Sequence, residues 1–374
     1  MNENNPALRF LPIHVINPKA NKEKSVDIGE ELESLIETLG GNIVDRIIQK
    51  LNNPDNATYI GNGKVNEVIE LVKEKKIDVA VLNNSAKPNQ VFRLKTALQK
   101  ANPNIEVYDR IDLILHIFEK HASTREAKLQ IELARMRYMG PRIYGMGYVL
   151  SRQGGGIGTL GVGETNTELM KRHWKQAIKK VTDELSKMSN EREKRIERRK
   201  KDGYKTISIV GYTNAGKSSL FNKLTGKKVL VENVLFATLD STVGEVYIPE
   251  ISKNILITDT IGFIRNLPPR LIQAFKSTLL ESIHADVILH VVDASDPEIF
   301  EKILVVEDIL KDLFIDSKKV IYIFNKNDRI SYKARLNLEE RYKSYLPVFV
   351  SAKNDNELTS ILDRIVKMLQ TIEL

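Results

Sequence analysis

The chain has 374 residues and no cysteine. Disulfides, thiolate catalysis and cysteine-ligated metal are therefore excluded, and a reducing, cytoplasmic setting is expected. No apolar run reaches the roughly 18 residues that a membrane-spanning helix needs, so no span is expected. The opening stretch Met1-Asn2-Glu3-Asn4-Asn5 is polar and lacks the basic-then-apolar layout of a signal peptide. The six histidines do not fall at metal-ligand spacing. His290 lies inside an apolar, strand-like run and reads as a packed core residue.

A hydrophobic content of 42% supports two or three domains with real cores. The net charge is +8, and it is unevenly placed. Residues 171–201 hold thirteen Lys/Arg against five Asp/Glu, while the rest of the chain holds 44 of each sign. The positive excess thus sits on one segment. Such a patch attracts polyanions, and nucleic acid is favoured over a merely solvated helix face.

The most informative stretch is Gly211-Tyr212-Thr213-Asn214-Ala215-Gly216-Lys217-Ser218, followed by Ser219. It fits G-x-x-x-x-G-K-[ST], the phosphate-binding loop. The β-branched run from Thr206 to Val210 before it reads as a buried strand, and residues 219–224 read as a helix start. In that setting backbone N–H groups close around phosphate oxygens, helped by the helix N-terminus. Lys217 is expected at the β/γ-phosphates and the Ser218 hydroxyl on Mg²⁺.

Residues 9–120 alternate strands and helices, which predicts a small parallel α/β domain. Its first strand is expected at 10–16, with Pro12 pointing to an edge or a late start. A second strand is expected over 42–48. Gly61-x-Gly63-Lys64 is too short for a second phosphate loop and reads as a helix-opening turn. From Arg110 to about Met139 one long helix is expected. Gly156-x-Gly158-x-x-Gly161 matches a dinucleotide fingerprint, but the stretch before it is a poor strand and a long basic helix follows, so a loop is expected. Thr165-x-x-Glu168 makes a capping box, and the helix it opens runs to about Lys201. Two long helices joined by a loop predict an antiparallel hairpin. The predicted domains are thus 1–120 (α/β), 121–201 (hairpin with glycine-rich loop) and 202–374, where the α/β rhythm returns.

Four further pieces follow the phosphate loop in order. Phe236-Ala237-Thr238-Leu239-Asp240 offers Thr238 as the hydroxyl that completes a Mg²⁺ site, with Thr242 the competing choice. Asp259-Thr260-Ile261-Gly262 follows a strand. Asp259 suits the Mg²⁺ shell, and the Gly262 N–H suits the γ-phosphate, so hydrolysis would release this segment. Lys217, Thr238 and Gly262 are the expected catalytic set, and Ser218, Thr238 and Asp259 the expected metal set. Asn325-Lys326-Asn327-Asp328 follows another strand. The Asp328 carboxylate accepts only, so it suits the N1–H and 2-amino donors of guanine and not adenine. Ser351-Ala352-Lys353 can hold the guanine O6 with a backbone N–H. Five pieces in this order, each at the C-terminal end of a strand candidate, point to a GTPase with GTP and GDP as substrate and product. The residue after Gly262 is Phe263, which can neither donate nor accept where Ras-like enzymes use a Gln to orient water. Slow intrinsic hydrolysis is therefore expected, with a partner needed for full activity. Arg265 is a candidate charge stabiliser or a surface residue.

The chain resembles the HflX family of translational GTPases, within the Obg–HflX-like group, over nearly its whole length. The resemblance is carried by residues 124–130 (Thr-Arg-Glu-Ala-Lys-Leu-Gln), 154–164, 236–240, 259–265 and 285–293. It implies an N-terminal α/β domain with a helical hairpin, followed by a Ras-like phosphate-loop GTPase domain. It also implies binding to the large ribosomal subunit and, in members studied, separation of stalled ribosomes. Here ribosomal RNA would meet the basic helix and the glycine-rich loop, and the chain is expected to be a monomer. The family's loop tends to read G-T-R-G-P-G-E-T-Q; here Leu160, Val162 and Asn166 replace the Arg, Pro and Gln, and Ser241 replaces a usual Pro. The reading from a different class is a metabolic or transport nucleoside triphosphatase whose hairpin binds a protein or small molecule.

Overall fold

The computed structural model describes residues 7–19, 22–153, 166–228, 235–236, 241–265, 267, 271, 279–354 and 358–373. The expectations for the loop at 154–164, for Thr165 of the capping box, and for Ala237, Thr238, Leu239 and Asp240 lie outside the described residues. The chain divides into two compact units: residues 1–120 with 131–182, and residues 121–130 with 183–374. Among the described residues no helix is long and apolar enough to cross a membrane.

The first unit is built on a fully parallel sheet of β1 (Arg9–Ile16), β2 (Asn42–Ile43), β3 (Ile47–Lys50), β4 (Val79–Leu82) and β5 (Glu106–Tyr108). Helices α1 (Lys22–Leu39), α2 (Asn62–Lys75), α3 (Pro88–Leu98) and α4 (Arg110–His121) connect and follow them. Gly40 has a φ of +88° and stops α1, with its N–H on Glu37 O and that of Gly41 on Ile36 O. The core joins Leu11, Ile13 and Leu82 of the sheet to Val68, Val72, Leu94 and Leu98 of the helices.

Pro12 is not at an edge: β1 is central, with β4 on one side and both β2 and β3 on the other. The carbonyls of Arg9 and Ile13 accept from the β4 side, and those of Leu8 and Phe10 accept from Asn42 and Val44 on the other. Pro12 therefore turns its missing N–H toward the gap between β2 and β3, where nothing in the ladder requires it. That gap is also why one expected strand over 42–48 is two short ones.

The single helix expected from Arg110 to Met139 is also two, α4 and α5 (Arg125–Gln153). Asp109 Oδ1 accepts from the N–H groups of Ile111 and Asp112, capping α4. Thr124 Oγ1 accepts from Ala127 N at 3.2 Å and opens α5. The long basic helix is α6 (Asn166–Lys201). Its pairing with α5 is antiparallel: in the first unit Trp174 Nε1 donates to Met136 O at 3.0 Å, and in the second Arg192 binds Glu126 at 2.8 Å.

The second unit carries a six-stranded sheet in the order β11-β10-β9-β6-β8-β7. These are β6 (Lys205–Gly211), β7 (Thr242–Ile248), β8 (Lys253–Asp259), β9 (Val287–Asp293), β10 (Val320–Asn325) and β11 (Val348–Phe349). All neighbours are parallel except β7 on β8. Strands β6, β9 and β10 are buried along nearly their whole length, as near-continuous apolar runs require when helices cover both faces. Its helices include α7 (Lys217–Thr225), α8 (Leu280–Ile283), α9 (Ile299–Asp312), α10 (Tyr332–Arg341) and α11 (Leu358–Glu373). His290 is buried in β9 with its ring 5.2 Å from that of Tyr322, a core position as expected, and burial, then the Lys217 charge, hold its pKa down at about 3.

Candidate functional site

The motif residues gather at the C-terminal ends of β6, β8, β10 and β11, where ligands sit in open parallel α/β sheets. The phosphate loop leaves β6 at Gly211 and enters α7 at Lys217. Three glycines are needed for close approach. A Cβ on Gly211 would land on the carbonyl oxygen of Val291, and one on Gly216, whose φ is +93°, would land on Asn325 Nδ2. At Gly262 it would lie 2.8 Å from Thr213 Cγ2 and 2.9 Å from Lys217 Nζ. Asn214 takes a φ of +61°, one of the few non-glycine types that does so at low cost.

Lys217 is buried and donates from Nζ to Tyr212 O at 2.8 Å. Burial pulls its pKa down to about 8, opposed by the nearby Asp259 charge. Thr213 Oγ1 is buried and has no hydrogen-bond partner among the described residues, although it sits in the loop itself. An orphaned hydroxyl beside an ammonium suits an anionic oxygen. Asp259 is fully buried at the end of β8, while Ser218 is half-buried in the first turn of α7. Among the described residues no cluster of three or more His, Asp or Glu side chains could hold a metal by itself. One carboxylate and one hydroxyl suit Mg²⁺, which keeps its waters and takes substrate phosphates as ligands. Thr242 opens β7 directly opposite Asp259 in the ladder, whereas its rival Thr238 lies outside the described residues. Ser219 is half-buried in α7, and Phe236, with a φ of +60°, is buried.

The segment after β8 is tied back to the loop. Thr260 Oγ1 donates to Ile209 O at 2.7 Å; Ile261 and Gly262 are buried behind it. Phe263 pairs with Tyr212 in a parallel bridge: its N–H donates to Gly211 O at 3.0 Å and its carbonyl accepts from Thr213 N at 2.8 Å. Of the two readings of Arg265, charge stabiliser or surface residue, the surface one does not hold, since Arg265 is ion-paired with Glu298 and both side chains are largely buried.

The remaining two motifs are joined to the loop by one side chain. Asn325 donates from Nδ2 to Ala215 O at 2.9 Å and accepts on Oδ1 from Ala352 N at 3.0 Å. Lys326, at a φ of +60°, donates to Asn214 O at 3.0 Å and to Asp293 at 2.6 Å. Asp328 is exposed, and its carboxyl is held below the usual range by a hydrogen bond from Ser351, with Lys353 and Arg329 adding to this. Asn327 N donates to Val350 O at 3.1 Å, which fixes the two loops side by side. Two anchoring roles escaped the sequence reading, although both residues lie in stretches it named: Asp293 accepts from Lys326, and the Tyr212 hydroxyl accepts from the Arg265 N–H at 2.9 Å. No local spacing signals either one.

Three family models match the chain: "GTP-binding GTPase N-terminal" over residues 27–119, "GTP-binding GTPase Middle Region" over 121–199, and "50S ribosome-binding GTPase" over 206–326. The GTPase HflX of Caldanaerobacter subterraneus subsp. tengcongensis is 40% identical over 339 residues, covering 91% of this chain and 76% of that protein. The GTPase HflX of Escherichia coli is 35% identical over 323 residues, covering 86% and 74%. Among solved structures, the complex of SsGBP and GDP matches at a TM-score of 0.54 and 28% identity, covering 98% of this chain and 100% of that one. A GTP-binding protein from Sulfolobus solfataricus in complex with GDP matches at 0.50 and 25%, covering 98% and 100%. With the phosphate loop, the Asp259–Gly262 turn and the Asn325–Asp328 turn meeting at one sheet edge, these matches give a single answer: the chain belongs to the HflX family and is a GTPase.

Proposed function

We propose that the chain is a nucleotide-gated switch that binds the large ribosomal subunit and separates stalled ribosomes. The observation that carries this reading is the charge on α6. Of its thirteen Lys/Arg residues from 171 to 201, eleven are exposed; the two half-buried ones, Arg192 and Arg199, pair with Glu126 and Glu281. An exposed cationic helix suits an RNA backbone better than a small metabolite. The match to a model described as "50S ribosome-binding GTPase" supports the same partner. Residues 121–201, with the loop at 154–164, would act as the RNA-seeking arm, residues 1–120 as a separate α/β domain and residues 202–374 as the GTPase. The three family models, at 27–119, 121–199 and 206–326, support that division.

At the site, the N–H groups of residues 211–218 would cradle the β- and γ-phosphates, with Lys217 exchanging its bond to Tyr212 O for a phosphate oxygen. Ser218 and Asp259, with Thr238, would hold Mg²⁺, which when bound neutralises charge on the β- and γ-oxygens. Asp328 would accept from guanine, with Asn325 and Lys326 setting the wall of its pocket and Ser351, Ala352 and Lys353 closing it. Gly262 would report the terminal phosphoryl group to the segment that follows.

Cosedimentation with large ribosomal subunits tests the proposal. Binding is expected with a non-hydrolysable GTP analogue, weaker with GDP, and falling steeply between low and moderate salt. Binding indifferent to both nucleotide and salt would overturn it.

A further inference from the structure

Around Tyr212 lies a set of interactions outside the phosphate, metal and guanine contacts assigned above. Its hydroxyl accepts from the Arg265 backbone N–H at 2.9 Å and from Arg265 Nε at 3.4 Å. The Arg265 guanidinium is ion-paired with Glu298, just before α9, with side-chain exposures of 12% and 10%. From α9, Lys302 sits 5.3 Å over the Tyr212 ring, 3.8 Å from Glu298 and 2.5 Å from Asp296. Three separate elements thus meet at one phenol: the phosphate loop, the segment after β8, and the start of α9. Burying an ion pair adds little stability over apolar packing of the same size, so its value here lies in position.

What it positions is Gly262. That residue precedes Phe263, which is clamped by both backbone bonds to Gly211 and Thr213, and its backbone lies against Lys217 Nζ and Thr213. We propose that Tyr212, Arg265 and Glu298 form a latch of positioning residues that holds Gly262 beside the Lys217 ammonium, so that the site prefers a triphosphate to a diphosphate. None of the three side chains needs to touch the nucleotide for this. The hydroxyl and the ion pair act on the segment after Gly262, and that segment presents its N–H where only the terminal phosphoryl group reaches. The latch rests on the assignment of Gly262 to the γ-phosphate.

Calorimetry on the full chain tests it with GDP and a non-hydrolysable GTP analogue, using Glu298→Gln, Tyr212→Phe and the double variant. The readout is the ratio of analogue affinity to GDP affinity, which a merely structural role would not move. The ratio is expected to fall about fivefold in each single variant, the contribution of one net hydrogen bond. In the double variant it is expected to fall no further than in the larger single, because both act through Arg265. Glu298→Gln should keep its GDP affinity within about twofold, as expected of a residue that adds nothing to diphosphate binding, which also shows that it is folded. An unchanged ratio in variants that still bind GDP overturns the latch, as does an equal loss of affinity for both nucleotides. Failure of the unaltered chain to bind GDP at all would strike the nucleotide site itself.

Discussion

Asn325 is the side chain whose removal should tell most about how the site is held. Its amide bridges two loops, giving Nδ2 to Ala215 O and taking Ala352 N on Oδ1. Ala215 is 2% exposed, so its carbonyl loses a donor at a buried position. In Asn325→Ala two backbone groups are left without their partner, each at about 1–3 kcal/mol. Taking the lower part of that range for Ala352, which is only half-buried, the loss is about 2–4 kcal/mol. If it appears in binding, GDP affinity falls roughly 30- to 1000-fold at about 1.4 kcal/mol per decade. Asn325→Asp separates the two roles. A carboxylate still accepts from Ala352 N but cannot donate to Ala215 O and faces its lone pairs, so it should bind GDP no better than the alanine variant. Isothermal titration of GDP into the three proteins reads this out. An Asn325→Asp affinity within about threefold of the unaltered chain would refute the donor role, and the same result for Asn325→Ala would refute the bridge altogether.

Three other outcomes are expected. Asp328→Asn should erode the preference for guanine over adenine nucleotides, and unchanged selection of GTP over ATP would remove Asp328 from that role. Lys217 has its pKa lowered to about 8 by burial, so the charged form prevails at pH 7 and is lost above pH 8. Phosphate favours the charged form, so binding takes up a proton in that range. GDP affinity should be flat below about pH 7 and fall by up to about tenfold per pH unit above about pH 8; an affinity that is level across that range contradicts this. Phe263 is buried, its backbone N–H and carbonyl are bonded to the loop, and its phenyl group can neither donate nor accept, so it supplies no water-orienting group. Steady-state hydrolysis by the isolated chain should be slow, and several turnovers per second would show that another residue orients the water.

Much of the site was legible because its parts are local. A buried parallel strand reads as an apolar run, and the turn that follows it carries its chemistry within about four to eight residues. That is how Gly211–Ser218, Asp259–Gly262 and Asn325–Asp328 can be placed at strand ends from the residues alone. β7 was not legible: it is the antiparallel edge strand, with Glu245 and Tyr247 exposed, so no apolar run marks it. The helix break at 122–124 was hidden because Thr124 opens α5 with a single hydroxyl, while apolar residues continue on both sides. Pro12 misled because its cost depends on which side of β1 lacks a partner, a fact that belongs to β2 and β3. The Lys326–Asp293 and Arg265–Glu298 pairs join residues 33 positions apart, and only the sheet order brings them together.

The proposed pocket selects guanine and reads the terminal phosphate. Its most direct test is a calorimetric titration of the full chain with GDP and with ADP under identical Mg²⁺ and salt. GDP is expected to bind, and ADP to bind at least about a hundredfold more weakly, since adenine leaves the Asp328 carboxylate without donors. Equal affinities for the two would contradict it.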